Sequence, residues 1–339
     1  MAPLEASVGT PGTGVTLRVA PAERTEASLG ERRGRVLMAV RYGGPDGGIR
    51  DTDHPFVEIP NPVLCGAPLL EIWGTQERVA GFRRGDLAWG EDGRKLFGCR
   101  CRRLIGDIEE GTLETYREML ALLVERGYPC LQRVWNYVPR INEDQRGHER
   151  YQLFNAGRAR AFDERFGVDA ERHFSASSAV GTVGDALIVC FAAGREPGTH
   201  VENPRQVRAY RYPPQYGLKH PCFARGTVAP AGWGGAFFLS GTASVVGHET
   251  KHLGDPLGQL EETLTNITML LDGAAAHTGR RRLDVARFDL FKVYVRSREH
   301  FPAIRGALAR LLEPSTPAIY LLADICRADL QLEIEGVCL

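Results

Sequence analysis

The chain has 339 residues, 43% hydrophobic and 25% charged, with 42 basic and 42 acidic side chains. That length exceeds a typical single domain of roughly 100 to 200 residues, so two packed halves or one large α/β body are expected. A formal net charge of zero removes the electrostatic case for a nucleic-acid or membrane partner and favours a small molecule. Eight cysteines are scattered without a CxxC pair, and no signal peptide or long apolar run precedes them, which is the pattern of reduced cytoplasmic thiols. Cys99 and Cys101 share one face of an extended run, but two thiols are too few for a zinc site.

In chain order, residues 1 to 33 are rich in Gly, Thr, Pro, Glu and Ala and carry no sustained period, as expected for an N-terminal arm, poorly packed or partly docked. The GTPGTG stretch at 9–14 lacks the preceding strand that a phosphate loop needs. A strand is predicted over Val36 to Val40, then a glycine-rich loop at 43–48. Apolar residues at 113, 116, 119, 120, 123 and 124 form a helical stripe closed by Gly127 and Pro129. A strand over Leu131 to Val138, a helix over Asn155 to Phe166 and a buried strand over Ala186 to Ala192 follow. The second half repeats the rhythm: strand at 236–246, helix from Leu257 through Leu271, strand at 288–295, helix near 299–312, strands at 318–325 and 329–337. This order predicts an α+β fold of mixed sheets with helices packed on one face. The halves are expected at 34–205 and 206–339, divided in the Pro/Gly-rich region 194–232.

The last strand carries the first candidate chemistry. In Leu330-Gln331-Leu332-Glu333-Ile334-Glu335-Gly336-Val337, period-two alternation aims Glu333 and Glu335 the same way, opposite the packed face of Leu330, Leu332 and Ile334. A carboxylate at the edge of a core is forced toward its protonated form and becomes a usable acid near neutral pH. A second motif, His248-Glu249-Thr250-Lys251-His252, matches HExxH, which holds zinc when a helix brings both histidines onto one face. Gly247 before it and Gly254-Asp255-Pro256 after it leave no room for that helix, so a solvated turn is expected and no metal.

From about 225 to 337 the chain resembles the Rid family of imine deaminases, through SGTASVVG at 240–247, PLGQLEETLTNITMLL at 256–271, FKVYVRSREHFPAIRGAL at 291–308 and LEIEG at 332–336. Rid deaminases carry an arginine after a proline-alanine pair, where this chain has Ile319-Tyr320 after Pro317-Ala318, so imine deamination is not expected. Beyond the arm, the whole chain resembles the chorismatases, through RVWNYVPRIN at 133–142, ERYQLFNAGRARAF at 149–162, YRYPPQYG at 210–217, FARG at 223–226 and SGTASVVGHETKHLGD at 240–255.

This resemblance implies two Rid-like halves and a substrate, chorismate, that bears a ring carboxylate and an enolpyruvyl ether. By motif position it implies Arg158 and Arg225 as carboxylate clamps and Tyr151 and Tyr212 as phenol donors. Glu333 would be the acid that protonates the enol ether, with Glu335 its neighbour, and Cys326 would steer the product toward 3-hydroxybenzoate. No cofactor is implied, and chorismate is the only partner, with no nucleic acid and no membrane. Rid proteins are trimers, so a monomer or a pseudo-trimeric arrangement within the chain is expected. Two other readings stand beside it: a hydrolase of the same family giving pyruvate and 3,4-dihydroxycyclohexa-1,5-dienoate, and a noncatalytic Rid-like protein that binds a small metabolite.

Overall fold

A computed structural model describes residues 6–8, 14–23, 29, 34–45, 47–104, 106–278 and 283–339. Most of the expected arm and all but Gly14 of the GTPGTG stretch lie outside them. The described residues form three six-stranded sheets. The first contains β1 (Ala6–Val8), β2 (Thr16–Pro21), β3 (Val36–Tyr42), β4 (Gly48–Ile49), β5 (Phe56–Ile59) and β6 (Leu69–Gly74). The second contains β7 (Ala80–Arg84), β8 (Leu87–Glu91), β9 (Lys95–Arg103), β10 (Cys130–Pro139), β11 (Ala176–Thr182) and β12 (Ala186–Gly194). The third contains β13 (Thr199–Val201), β14 (Gly226–Val228), β15 (Phe237–Thr242), β16 (Leu290–Val295), β17 (Ala318–Leu322) and β18 (Leu332–Cys338).

The second and third sheets have the same topology. Their strand orders are β7-β8-β9-β12-β10-β11 and β13-β14-β15-β18-β16-β17. In each, one helix follows the third strand and another lies between the parallel pair, β10 with β11 or β16 with β17. These helices are α1 (Ile108–Arg126) and α2 (Arg150–Phe166) in the second sheet, α3 (Pro256–Thr278) and α4 (Phe301–Leu311) in the third. Parallel neighbours need such a crossover, which explains the strand-helix-strand rhythm read from the hydropathy. The first sheet repeats the core of that order, β2-β6-β3-β5, with β3 and β5 parallel and no described helix of that length between them.

The arm is partly docked, and the boundary at 205 does not coincide with a division between sheets. Residues 16–21, inside the expected arm, form a strand whose Leu17 and Val19 are buried. The segment 34–205 is not one half, because it contributes strands to all three sheets. The short strands of the first sheet, without a flanking helical stripe, gave no rhythm to read.

Alternation along the central strands explains the layering. Trp135 and Tyr137 of β10 join Met38, Val40 and Tyr42 of β3 and Leu290 and Tyr294 of β16 in a core shared by all three sheets. Val134 and Val138 point the other way, onto Tyr116, Met119 and Phe154 of α1 and α2. Phe291, Val293 and Val295 likewise meet Leu260, Ile267 and Ile304 of α3 and α4. At the centre the three tyrosine hydroxyls meet, Tyr42 to Tyr137 at 3.3 Å and Tyr137 to Tyr294 at 3.5 Å. They sit on strands β3, β10 and β16, which hold the same place in the core order that the three sheets share. α1 is capped by Asp107, whose carboxylate accepts from the Glu109 amide, and stops at Gly127 with φ of 76°.

Candidate active site

The seam between the second and third sheets opens into a cavity of about 560 Å³. Glu333, Cys326, Tyr151, Arg158, Tyr212 and Arg225 all line it. Tyr151 and Arg158 are seven residues apart on α2, two turns along one face. Tyr212 and Arg225 come from the irregular segment between β13 and β14, Cys326 from the connection between β17 and β18, and Glu333 from β18 itself.

Position 333 differs from the sequence expectation in one respect. β18 buries Leu332 and Ile334 against α3 and α4 on one face and turns Glu333 and Glu335 toward the second sheet on the other, so the two carboxylates are 4% and 1% exposed rather than directed away from packed structure. The two carboxylates meet different surroundings. Glu335 accepts from Arg133 Nη2 at 2.7 Å and from the Ser178 hydroxyl, and lies 2.9 Å from Lys292 Nζ. Burial pushes its carboxyl upward, but Lys292, Arg133 and the Ser178 hydrogen bond outweigh burial and hold it below the usual carboxylate range. Lys292 is shared with Glu71 at 3.2 Å.

Two cations thus balance two carboxylates, and Glu333 is left without an ion pair. Its Oε1 has no hydrogen-bond partner, and its Oε2 faces the Cys326 thiol at 3.9 Å. Burial and the neighbouring Glu335 charge push the Glu333 carboxyl up to about 8, against weaker pulls from Arg133 and Arg225. It therefore keeps its proton at neutral pH. Cys326 is pushed up to about 12 by burial and by Glu333, so it stays a thiol. Gly241 of β15 makes room for the acid, since a Cβ there would overlap Glu333 Oε1.

The cationic side is equally buried. Arg158 donates to Asn155 Oδ1 at 3.0 Å, and Arg225 donates to the Tyr212 hydroxyl at 2.7 Å and to the Val207 carbonyl at 3.0 Å. The Nε of each has no partner. Burial works against both charges, but Tyr116 and Cys222 beside Arg158 and Tyr212 beside Arg225 outweigh it. Burial raises the Tyr151 hydroxyl far above its usual range, so it remains a donor.

Sequence reasoning missed several residues at this seam. Arg327 also lines the cavity, donating to the His248 carbonyl at 2.8 Å with its guanidinium 4.2 Å from the Tyr216 ring centre. The Tyr216 hydroxyl lies 3.1 Å from His248 Nδ1. The HETKH segment is a hairpin in which Val245–Val246 pairs with Glu249–Thr250, turning at Gly247 with φ of 61°. It forms a cavity wall, and no helix brings its histidines together. Arg133, Glu71 and Lys292 were legible in principle, each the one charged residue of its strand, which requires a buried partner.

Residues 71–193 match the family model "Chorismatase FkbO/Hyg5-like, N-terminal". A 3-hydroxybenzoate synthase of Streptomyces hygroscopicus is 38% identical over 296 residues, covering 85% of this chain and 86% of that protein. A chorismatase of the same organism is 35% identical over 271 residues, covering 79% and 78%. A chorismatase crystal structure superposes with a TM-score of 0.88 at 31% identity, covering 96% of this chain and 98% of that one. An unpaired acid and two buried arginines at one inter-sheet seam, together with these relatives over most of the chain, place the protein in the chorismatase family.

Proposed function

We propose that this enzyme converts chorismate to pyruvate and 3-hydroxybenzoate. The reading rests on Glu333: a carboxylic acid that holds its proton to about pH 8, with an unpartnered oxygen, on a cavity that also holds two buried guanidiniums without a hydrogen-bonded carboxylate. Arg158 and Arg225 bind the two substrate carboxylates as charge-assisted pairs, and Tyr151 and Tyr212 donate to substrate oxygens. Glu333 gives its proton to the terminal vinyl carbon, which becomes the methyl group of pyruvate. As positive charge develops at the ether-bearing carbon, the ring C–O bond breaks with its electron pair forming the pyruvate carbonyl. The adjacent ring hydroxyl closes on the vacated carbon and returns its proton to the acid, and loss of the hydrogen at that carbon opens the oxide to the 3-phenol. Carbon protonation is slow, so a fixed acid at the right distance matters more than a strong one.

Pyruvate and 3-hydroxybenzoate together contain the atoms of chorismate and no others. The dihydroxycyclohexadienoate of the hydrolytic branch contains one water more and keeps its ring unaromatised. We assign Cys326 to this partition; its thiol faces the Glu333 carboxyl at 3.9 Å, which supports a part in removing the ring proton. The similarity to a relative named 3-hydroxybenzoate synthase supports the aromatic branch. We take the protein to work in the cytoplasm, a reading supported by its eight free cysteines, and as a single chain, a reading supported by its three sheets of like strand order.

The test is product identification after incubation with chorismate. Pyruvate with 3-hydroxybenzoate is the expected result. Pyruvate with the dihydroxy acid assigns the hydrolytic branch, and unchanged chorismate at high enzyme concentration leaves only a metabolite-binding role.

A further inference from the structure

The polar cluster behind Glu333 lies outside the cavity except at Ser178, yet it spans all three sheets. Glu71 comes from β6, Arg133 and Ser178 from β10 and β11, and Lys292 and Glu335 from β16 and β18. Glu71 accepts from Trp73 Nε1 at 2.7 Å and from the Tyr42 hydroxyl at 2.8 Å, while Lys292 donates to that hydroxyl at 3.1 Å. Arg133 also donates to the Ser178 hydroxyl at 2.9 Å. Every charged member is at most 5% exposed. A buried ion network of this kind is weak evidence for stability, because desolvating four charges offsets most of what their attraction returns. Its placement suggests another role, since Glu335 is two residues from Glu333 on one strand face.

We propose that Glu335 is a positioning residue for the reaction, fixed as a carboxylate by Arg133, Ser178 and Lys292 so that the proton of the pair resides on Glu333. The proposal deepens the reading above and rests on Glu333 as the acid. Two carboxyls on one face of one strand, sharing a buried environment, ionise in sequence rather than together. The partners decide which goes first: all three polar contacts converge on Glu335, while Glu333 has only a thiol. The other titratable or charged groups around Glu333 are Cys326 before the strand, Tyr151 on α2, Tyr294 opposite it on β16, and Arg133 and Arg225. Cys326 and the tyrosines stay neutral, and both arginines favour ionised Glu333. Among these groups the Glu335 charge is the one that opposes them.

The test follows the proton without turnover. Infrared titration of the free protein should show a protonated-carboxyl component titrating near pH 8 that Glu333→Gln removes, leaving the component of Glu202, which burial raises to about 7. Glu335→Gln should shift the midpoint of the Glu333 component down by about one to three pH units, the size of effect that one nearby unit charge has on a carboxyl. The alkaline limb of chorismate turnover should move with it. Should Glu335→Gln fail to fold, Glu71→Gln removes an anion from the same network and should also lower the midpoint, by less because Glu71 is farther away. An unmoved midpoint in the folded variant overturns the proposal, whether or not chorismate is cleaved. A shifted midpoint in a protein that leaves chorismate untouched supports the proton assignment and rejects only the substrate.

Discussion

Replacing Glu333 by Gln should abolish most turnover while stabilising the protein at alkaline pH, and the second effect has a calculable size. Unfolded Glu333 ionises near 4.5, whereas in the folded chain it keeps its proton to about 8. A raised value means that the group's contribution to stability is complete below 4.5 and is lost as pH rises through about 8. At about 1.4 kcal/mol for each pH unit between those values, the loss reaches about 5 kcal/mol as an order of magnitude. Gln is neutral at every pH and nearly isosteric, so the variant escapes the loss. Thermal or urea unfolding of both proteins from pH 4 to 10 should give curves that coincide at the acid end and separate steadily, with the variant more stable above pH 8. Other groups titrate in both proteins and cancel in the difference. Turnover in the variant should fall by about 10² to 10⁴, the usual contribution of a general acid. A pH-independent stability difference, or turnover at the wild-type rate, refutes the protonated-acid argument.

Other outcomes follow from the same site. Gly241→Ala places a methyl group against Oε1 of Glu333, and the flexible end of the acid is what must give way; kcat and product ratio should change while the melting temperature stays within a few degrees, measured by product chromatography and calorimetry. Arg225→Gln should raise KM by about 10- to 100-fold with a smaller effect on kcat, as expected when a charge-assisted contact worth roughly 1.5 to 3 kcal/mol is lost; an unchanged KM removes Arg225 from substrate binding. Cys326→Val should raise the share of dihydroxycyclohexadienoate among the products, and an unaltered ratio would exclude the thiol from the partition.

Much of the third sheet was legible because its signals are local. The stripe from Leu257 through Leu271 and the alternation from Leu330 to Val337 each follow from one element burying one face, and both elements form where expected. The first sheet was harder to read. β5 and β6 have only four and six residues, and nothing local distinguishes such short apolar runs from buried loops. β11, Ala-Ser-Ser-Ala-Val-Gly-Thr, carries little hydrophobic signal, and its burial comes from neighbouring strands and the third sheet.

The same division runs through the site. Residue types and motif spacing determined which side chains were candidates: the paired carboxylates on one strand face, the arginines in their blocks, and the glycines that deny HETKH a helix. Each depends only on bonded geometry and near neighbours. Which of the two carboxylates keeps a proton was decided by tertiary structure alone. That outcome depends on Arg133, Ser178 and Lys292 arriving from three different strands to serve Glu335 and leave Glu333 without an ion pair. The energy of a buried charge is set by what lies within a few ångströms in space, and chain order does not encode that distance.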